Sequence, residues 1–204
     1  MSTTSPVNPN RVEWSGENPG IYLKDTEDGP WLTLALFFRV TTSPHGSGRG
    51  IVVLANPDKA AGVEANNFCV TNNETLMRYL IQDYAQHFAT FKGKPGLPAM
   101  TYLKMSAAET GGDGISGHTE SMRGGNKSVE LQWSGFRKPH CVDVPPAQSG
   151  TGKHQMYSLF VHCDQGRVLV DGKALPGKVF DRPFLGGTGS TAFLAFAETW
   201  LSPA

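Results

Sequence analysis

Hydrophobic positions in this chain fall in short runs that alternate with runs of Gly, Pro and polar residues. The clearest run, Trp31 to Thr42, is apolar at successive positions and is bounded on both sides by a turn pair that contains proline. A short apolar run between turn residues is typical of a buried strand. Further runs of this kind predict strands at 51–55, 101–105, 117–122, 128–133, 154–164, 167–170, 173–175 and 190–201.

One segment has the longer period of an amphipathic helix. Between residues 73 and 91 the apolar side chains recur at a spacing of three or four, so they would form one face. Thr71 and Glu74 have the spacing of a capping box, and Asn72 and Asn73 are also favourable N-caps. Gly93 and Pro95 would end the helix. We expect this helix to cover a face of a sheet or one end of a barrel.

These elements predict an α+β fold that is mostly β. We expect an antiparallel β-barrel or sandwich of about seven to eight strands with one amphipathic helix at about 73–91. Asp171-Gly172 predicts a two-residue hairpin turn in which both residues have positive φ. The Pro-rich passage 138–146 is expected to interrupt regular structure. Polar residues 1–20 predict a flexible N-terminal arm, and 21–204 a single β-rich domain.

Composition and charge exclude several classes of protein. The 204 residues have a formal net charge of +0 and scattered Lys and Arg, so we expect no nucleic-acid partner. No apolar stretch is as long as a membrane span, so we expect no membrane association. The 3 cysteines lack a CxxC pair, and the N-terminus lacks the pattern of a signal peptide. These features predict a soluble protein of the cytoplasm.

Polar residues inside the apolar C-terminal runs are the candidates for a site. Strand alternation places His154, Ser158 and His162 on one face of the predicted strand 154–164, among bulky apolar side chains. Such a face is typical of the wall of a ligand cavity. Eight strand rises of about 3.3 Å separate the two histidines by roughly 26 Å, so they cannot serve one centre. The alternative is that each histidine lies half exposed at one end of the strand, has ordinary hydrogen-bond partners there and has no function.

Glu198 is the strongest single candidate. Alternation along the last strand places it between Phe196 and Trp200 on one face. Desolvation there would raise the pKa of the carboxyl, which is how general acids and bases are tuned toward neutral pH. The alternative is a structural ion pair with one of three arginines, namely Arg39, Arg137 or Arg182.

His118 and Glu120 form an H-x-E pair, and alternate strand positions can present two ligands to one divalent metal. A third ligand would have to come from elsewhere, such as His154, His162 or Glu198. The pair is a weak metal candidate, because the pattern is short and occurs often by chance. No cofactor is expected from the sequence.

Three functions remain open. The first is an enzyme without a cofactor (a lyase, isomerase, cyclase or hydrolase) that acts on a small organic molecule in an apolar barrel cavity. Glu198 would be its general acid or base, His162 or His154 the partner of Glu198, and Ser158 would orient the substrate. The second is a barrel that only binds and carries a small apolar ligand. The third is a structural or assembly protein, with apolar strand edges that would favour a homodimer.

Overall fold

The computed structural model describes residues 8–60 and 66–203. Most of these residues lie in strands, and one α-helix and two short 3₁₀ helices accompany them. The elements in chain order are β1 (Arg11–Glu17), β2 (Gly20–Lys24), β3 (Trp31–Thr42), β4 (Gly48–Leu54), β5 (Asn67–Thr71), α1 (Glu74–Asp83), a 3₁₀ helix (Ala85–His87), β6 (Thr101–Gly112), β7 (Gly117–Gly124), β8 (Lys127–Phe136), β9 (His140–Val144), a 3₁₀ helix (Pro146–Gln148), β10 (Gln155–Val170), β11 (Lys173–Ala174), β12 (Asp181–Phe184), β13 (Gly187–Ser190) and β14 (Ala192–Ser202).

Nine strands close into a barrel in the order β2, β3, β4, β5, β6, β7, β8, β10, β14, and β14 pairs back with β2. All neighbours in this ring are antiparallel except β5 and β6, which are parallel. A parallel pair needs a crossover connection, and the chain between β5 and β6 supplies one that contains α1. The prediction of a mostly β fold with one helix is therefore confirmed. The barrel has more strands than predicted, and its sheet is mixed.

The lumen of the barrel is filled by side chains. Every barrel strand turns apolar residues to one common cluster, in which Trp133 is the largest fully buried member. The indole Nε1 of Trp133 donates a hydrogen bond of 3.1 Å to the carbonyl of Gly20, so its polar atom is satisfied. One member from each strand is Ile21, Phe37, Ile51, Phe68, Leu103, Met122, Leu131, Val168 and Leu194.

A second apolar cluster lies on the outer face of the barrel. It is formed by the outward side chains of β2 to β5, β10 and β14, and α1 packs over it. The helix begins after Asn73, whose Oδ1 accepts a hydrogen bond of 3.0 Å from the backbone N–H of Leu76. Its buried face confirms the predicted period, and the helix covers a sheet face. It ends at Asp83 rather than near 91, because the chain then turns through the first 3₁₀ helix.

The predicted N-terminal arm is wrong for residues 11–17. These residues form β1, which pairs with β14 on one side and β3 on the other. Trp14 is fully buried in the outer cluster, so burial of its ring anchors the strand. Gly16 lets the strand approach β3, since an added Cβ would lie 2.0 Å from the carbonyl oxygen of Arg39. Residues 1–7 of the predicted arm lie outside the described residues.

Two further segments differ from the prediction. The Pro-rich passage 138–146 contains β9, which pairs with β10 and buries Val144. The predicted strands 154–164 and 167–170 are one long strand, β10. The turn at Asp171-Gly172 is confirmed, with φ of 52° and 76°. Within the described ranges, no helix has the length and apolarity that a membrane crossing requires.

Candidate functional site

A β-bulge in β14 sets the direction of Glu198. The pairing of β14 with β10 changes register where Tyr157 lies opposite Thr199 and Leu159 opposite Phe196. The extra residue is Ala197, which has a φ of +52°. A bulge of one residue reverses the alternation of side chains beyond it.

The bulge therefore separates residues that simple alternation places together. Before it, Phe193 and Ala195 belong to the outer cluster, whereas Phe196 packs against the lumen cluster. After it, Trp200 belongs to the outer cluster and Glu198 lines a cavity beside it. The prediction that Glu198 shares a face with Phe196 is wrong, and the same prediction for Trp200 is right.

The cavity that Glu198 lines has a volume of about 270 Å³ and lies on the outer face of the barrel, not in the lumen. The barrel strands contribute aromatic and apolar side chains to its floor, and the segments packed over the barrel supply its other walls. The floor residues are Tyr22, Met156, Phe160, Phe193, Glu198 and Trp200. The remaining wall is formed by Asn18, Phe88, Ala89, Thr90, Val144, Gln148, Ser149, Gly150, Arg182, Phe184 and Leu185.

Two N–H donors hold one oxygen of the Glu198 carboxyl. Oε1 accepts a hydrogen bond of 2.7 Å from the indole Nε1 of Trp200 and one of 3.3 Å from Nδ2 of Asn18. Oε2 makes no hydrogen bond within residues 8–60 and 66–203, so it is the oxygen available to a molecule in the cavity. No arginine of these ranges forms an ion pair with Glu198, whose side chain is buried at 3% exposure.

Burial sets the electrostatics of this carboxyl. Desolvation raises the pKa of Glu198 to about 7, while the hydrogen bonds from Trp200 and Asn18 lower it in part. Both protonation states are therefore populated near neutral pH. The neighbouring Tyr22 is also buried, and desolvation raises the pKa of its phenol, which keeps it protonated. The site thus combines a titrating carboxyl with a neutral phenol.

Sequence reasoning missed Asn18 as a residue of this cavity, and it considered Arg182 only as a structural ion-pair partner of Glu198. Asn18 lies in the segment predicted as an arm, and Arg182 lies in β12 next to a Gly-rich turn. Both line the cavity. Only the fold brings them to Glu198, because they are 180 and 16 positions away along the chain and follow no local motif with it.

Ser158 lies on the predicted face of β10, between Met156 and Phe160, which both line the cavity. Its side chain is buried, and Oγ has no hydrogen-bond partner in the described part of the chain. Ser158 itself does not line the cavity. The structure therefore places it beside the cavity wall, and its predicted contact with a substrate stays a prediction.

His162 is buried behind the aromatic wall of the cavity. Its Nδ1 accepts a hydrogen bond of 3.0 Å from the backbone N–H of Ser190, so a neutral ring carries its proton on Nε2. The ring stacks on His140 at 5.4 Å and contacts Phe184 at 4.9 Å. Desolvation, with His140 and Arg182 nearby, lowers the pKa of His162 to about 4. A neutral, enclosed ring packs the wall and does not reach Glu198.

His154 lies at the other end of the same face, just before β10 begins. Its ring stacks on Tyr84 at 5.0 Å and meets the edge of Trp200 at 6.4 Å. Nδ1 lies 3.1 Å from Oγ1 of Thr151. Burial, together with the charge of Lys153, lowers the pKa of His154. The two histidines thus have separate neighbours, and neither lines the cavity.

His118 and Glu120 lie in the lumen and bind each other. Nε2 of His118 is 3.2 Å from Oε1 of Glu120, which also accepts a hydrogen bond of 2.6 Å from Arg39. Oε2 of Glu120 accepts one of 2.9 Å from Thr110, so both carboxyl oxygens have partners. The described residues contain no group of three or more His, Cys, Asp and Glu side chains that could hold a metal ion.

The cavity brings together one titrating carboxyl, one guanidinium, two side-chain amides and one phenol within a largely aromatic wall. Such a site can enclose the apolar body of a small molecule and exchange a proton with it. Comparisons with protein-family models, with curated proteins and with solved structures find no match to this chain.

Proposed function

We propose that this protein is an enzyme that moves a proton on a small, largely apolar organic molecule, with Glu198 as the general acid and base. The observation that carries the proposal is the position of the carboxyl. Oε1 is fixed by Trp200 and Asn18, while Oε2 has no partner among the described residues and Glu198 lines the cavity. A catalytic base needs this combination of fixed orientation and an open oxygen.

The pKa of Glu198 supports the same role. With a pKa of about 7, the carboxylate and carboxylic acid forms of Glu198 have similar free energies near neutral pH. The carboxylate can therefore accept a proton, and the acid can return it, at little cost. The chemistry that fits is removal of a proton from a carbon next to a carbonyl group, followed by its return to another atom. An isomerase, a cyclase or a lyase uses this step. Hydrolysis fits less well, because no serine, threonine or cysteine of the described residues hydrogen-bonds to Glu198.

Asn18, Trp200 and Tyr22 have supporting roles in this proposal. The indole and amide N–H groups hold the carboxyl in place, and they must keep doing so when it is neutral. The neutral phenol of Tyr22 can donate a hydrogen bond to an oxygen that gains negative charge in the reaction. His154, Ser158 and His162, expected from the sequence to help, do not line this cavity, and this proposal gives them no role.

Hydrogen exchange tests the proposal without knowledge of the natural substrate. Aromatic ketones with an acidic C–H next to the carbonyl are incubated with the protein in heavy water, and proton NMR follows their deuteration. In each exchange event Oε2 takes the proton from carbon, exchanges it with solvent, and returns a deuteron to the same carbon. We expect exchange above the buffer rate for the wild type and its loss in Glu198→Gln.

Glu13→Gln is the matched control, because Glu13 is also a buried carboxyl but hydrogen-bonds to Ser202 and Arg11 and does not line the cavity. It should exchange as the wild type does. If ketones bind and none is deuterated faster than in buffer, Glu198 is not a base and the enzyme proposal fails.

A carrier without catalysis is the second candidate function. The lining of the cavity favours this second function. Among the described residues, Glu198 is its only carboxylate and no histidine lines it. A neutral Glu198 would then donate a hydrogen bond to the ligand. Native mass spectrometry of protein purified from cells distinguishes the two functions, because a carrier retains its ligand unchanged after long incubation.

A further inference from the structure

Arg182 reaches the cavity from β12 and lies among aromatic rings. Its guanidinium carbon is 5.5 Å from the ring centroid of Tyr22 and 5.6 Å from those of Phe184 and Phe193. All four residues line the cavity that Glu198 also lines. The guanidinium therefore forms part of the cavity wall, where the other surfaces near it are apolar.

The charge of Arg182 has no partner in the described ranges. Its side chain forms no ion pair there, and its one hydrogen bond runs from Nε to the carbonyl of Ser190 at 3.4 Å. Arg137 behaves differently, since it binds Asp164 at 2.8 Å and Asp181 at 2.7 Å. Ring faces attract a guanidinium but offer it no carboxylate acceptor, and the side chain of Arg182 is only partly buried. The terminal nitrogens of Arg182 are thus free to bind an anion.

Glu198 is not the anion that pairs with the guanidinium of Arg182. It lines the same cavity as Arg182, yet the two form no ion pair within 4.0 Å and Oε1 of Glu198 is turned to Trp200 and Asn18. The guanidinium and the titrating carboxyl are therefore two separate polar groups of one cavity, whose other walls are largely aromatic and apolar. This arrangement suits a molecule that has an anionic end, an apolar body and an acidic hydrogen.

We infer that the ligand of this cavity is a small aromatic or similarly flat carboxylate, whose carboxylate binds the guanidinium of Arg182. This inference rests on the proposed function and names its class of substrate. The planar fork of arginine can form two parallel hydrogen bonds to a carboxylate. A volume of about 270 Å³ lies just below the usual range of about 300–1,000 Å³ for ligand pockets, so one or two fused rings fit the size.

A matched pair of probes tests the inference. The naphthalene carboxylate and its carboxamide have nearly the same shape, and only the first carries a charge. Isothermal titration calorimetry measures both at neutral pH. We expect the wild type to bind the carboxylate at least about tenfold more tightly than the amide, because a charge-assisted hydrogen bond is about twice as strong as a neutral one.

Arg182→Gln should erase this preference, and Arg182→Lys should keep part of it through the point charge. Arg137→Gln is the control, because Arg137 is held by two aspartates and does not line this cavity; it should bind as the wild type does. Circular dichroism checks that each variant is folded. If Arg182→Gln does not fold, Arg182→Lys and the comparison of the two probes on the wild type decide the question.

The two proposals fail in different ways. Glu198→Gln should still prefer the carboxylate over the amide while it loses hydrogen exchange, because it removes the base and leaves Arg182. Equal affinity of the wild type for both probes, or an undiminished preference in Arg182→Gln, overturns the carboxylate site whatever the exchange result. A strong preference without any exchange keeps the carboxylate site and overturns catalysis.

Discussion

The indole of Trp200 donates a hydrogen bond of 2.7 Å to the carboxyl of Glu198, two positions earlier on the same strand. Both side chains lie on the same face of β14, on the far side of the bulge at Ala197. The indole thus acts as a fixed donor that orients a buried carboxyl, and it contributes its ring to the floor of the cavity at the same time. A change in the charge of Glu198 must therefore change the electronic environment of the indole N–H.

This contact predicts that the indole resonance of Trp200 reports the titration of Glu198. Proton–nitrogen correlation NMR should show the Nε1–H signal of Trp200 shifting with a midpoint near pH 7, since the pKa of Glu198 is raised to about 7. The signal of Trp133 is an internal control, because its indole donates to a backbone carbonyl. In Glu198→Gln the shift of Trp200 should disappear. A midpoint near pH 4 would mean that the carboxyl is not desolvated.

The bulge predicts the response to substitution at Ala197. This residue is exposed and has a φ of +52°, a conformation that costs a non-glycine residue about 1 kcal/mol. Ala197→Gly should stabilise the fold by roughly 0.5–1 kcal/mol, and Ala197→Val should destabilise it by about 1 kcal/mol or more. Urea denaturation measures both. A glycine variant less stable than the wild type would contradict the left-handed conformation at this position.

The bulge also explains where sequence-based prediction of the site succeeds and where it fails. Glu198 stands out because a carboxyl within an apolar run is costly, and this argument needs no knowledge of the pairing. The direction of its side chain depends on one extra residue, and a non-glycine residue with positive φ has no clear signal in the sequence. Simple alternation therefore grouped Glu198 with Phe196, which faces the lumen.

Prediction of the fold was limited in a similar way. Strong local patterns predict two elements correctly. The apolar run Trp31–Thr42 forms the expected strand, and Asp171-Gly172 forms the expected turn. The parallel pairing of β5 with β6 and the closure of β14 onto β2 depend on contacts between distant segments. Local patterns do not specify such pairings. Asn18 was missed for this reason, because the strand before it is recognised only through its partners.

Trp14 gives a test of how β1, which pairs with two strands of the barrel, packs against the fold. Its ring is fully buried and lies 5.8 Å from Tyr84 and 6.3 Å from Trp200. Trp14→Ala should destabilise the fold by about 3–5 kcal/mol, the usual cost of removing a large buried side chain. Val12→Ala on the same strand should change stability by less than about 0.5 kcal/mol, because Val12 is 44% exposed. Equal effects of the two variants in urea denaturation would mean that β1 is not packed.

His162 predicts a loss of stability in acid. Its pKa is about 4 in the folded state, below the ordinary histidine value of 6.5, so the unfolded chain binds the proton more readily. The stability that depends on a neutral His162 is present above pH 6.5 and is lost as the pH falls toward 4. His162→Asn keeps an acceptor for the N–H of Ser190 but cannot titrate. Its free energy of unfolding should depend less on pH across this window than that of the wild type.

The control for this prediction is His87→Asn, because His87 is exposed and lies outside the aromatic wall. This variant should keep the slope of the wild type in the same window. Urea denaturation at a series of pH values measures all three proteins. If His162→Asn shows the full slope of the wild type, the ring of His162 is protonated in the folded state and the acceptor role of its Nδ1 is wrong.

The ion pair between Glu120 and Arg39 leads to a prediction of how much the buried charges of the lumen contribute to the stability of the fold. Its carboxylate is 2% exposed and binds Arg39 at 2.6 Å, whereas Glu74 binds Arg78 at 2.7 Å in a pair that is about half exposed. Removing one partner of a buried pair leaves the other charge uncompensated, which costs about 3–5 kcal/mol. Glu120→Gln should cost less than this range, since Arg39 is 30% exposed and keeps an ion pair of 3.3 Å with Glu17.

Glu74→Gln is the matched control for the lumen pair. An exposed pair at this helical spacing contributes far less than a buried one, because water screens both charges. The difference between the two variants in urea denaturation therefore measures burial rather than charge removal itself. Addition of salt separates them further, since screening weakens the exposed pair and acts little in the lumen. A loss of similar size in both variants would mean that water reaches Glu120 and that the lumen is open at this end.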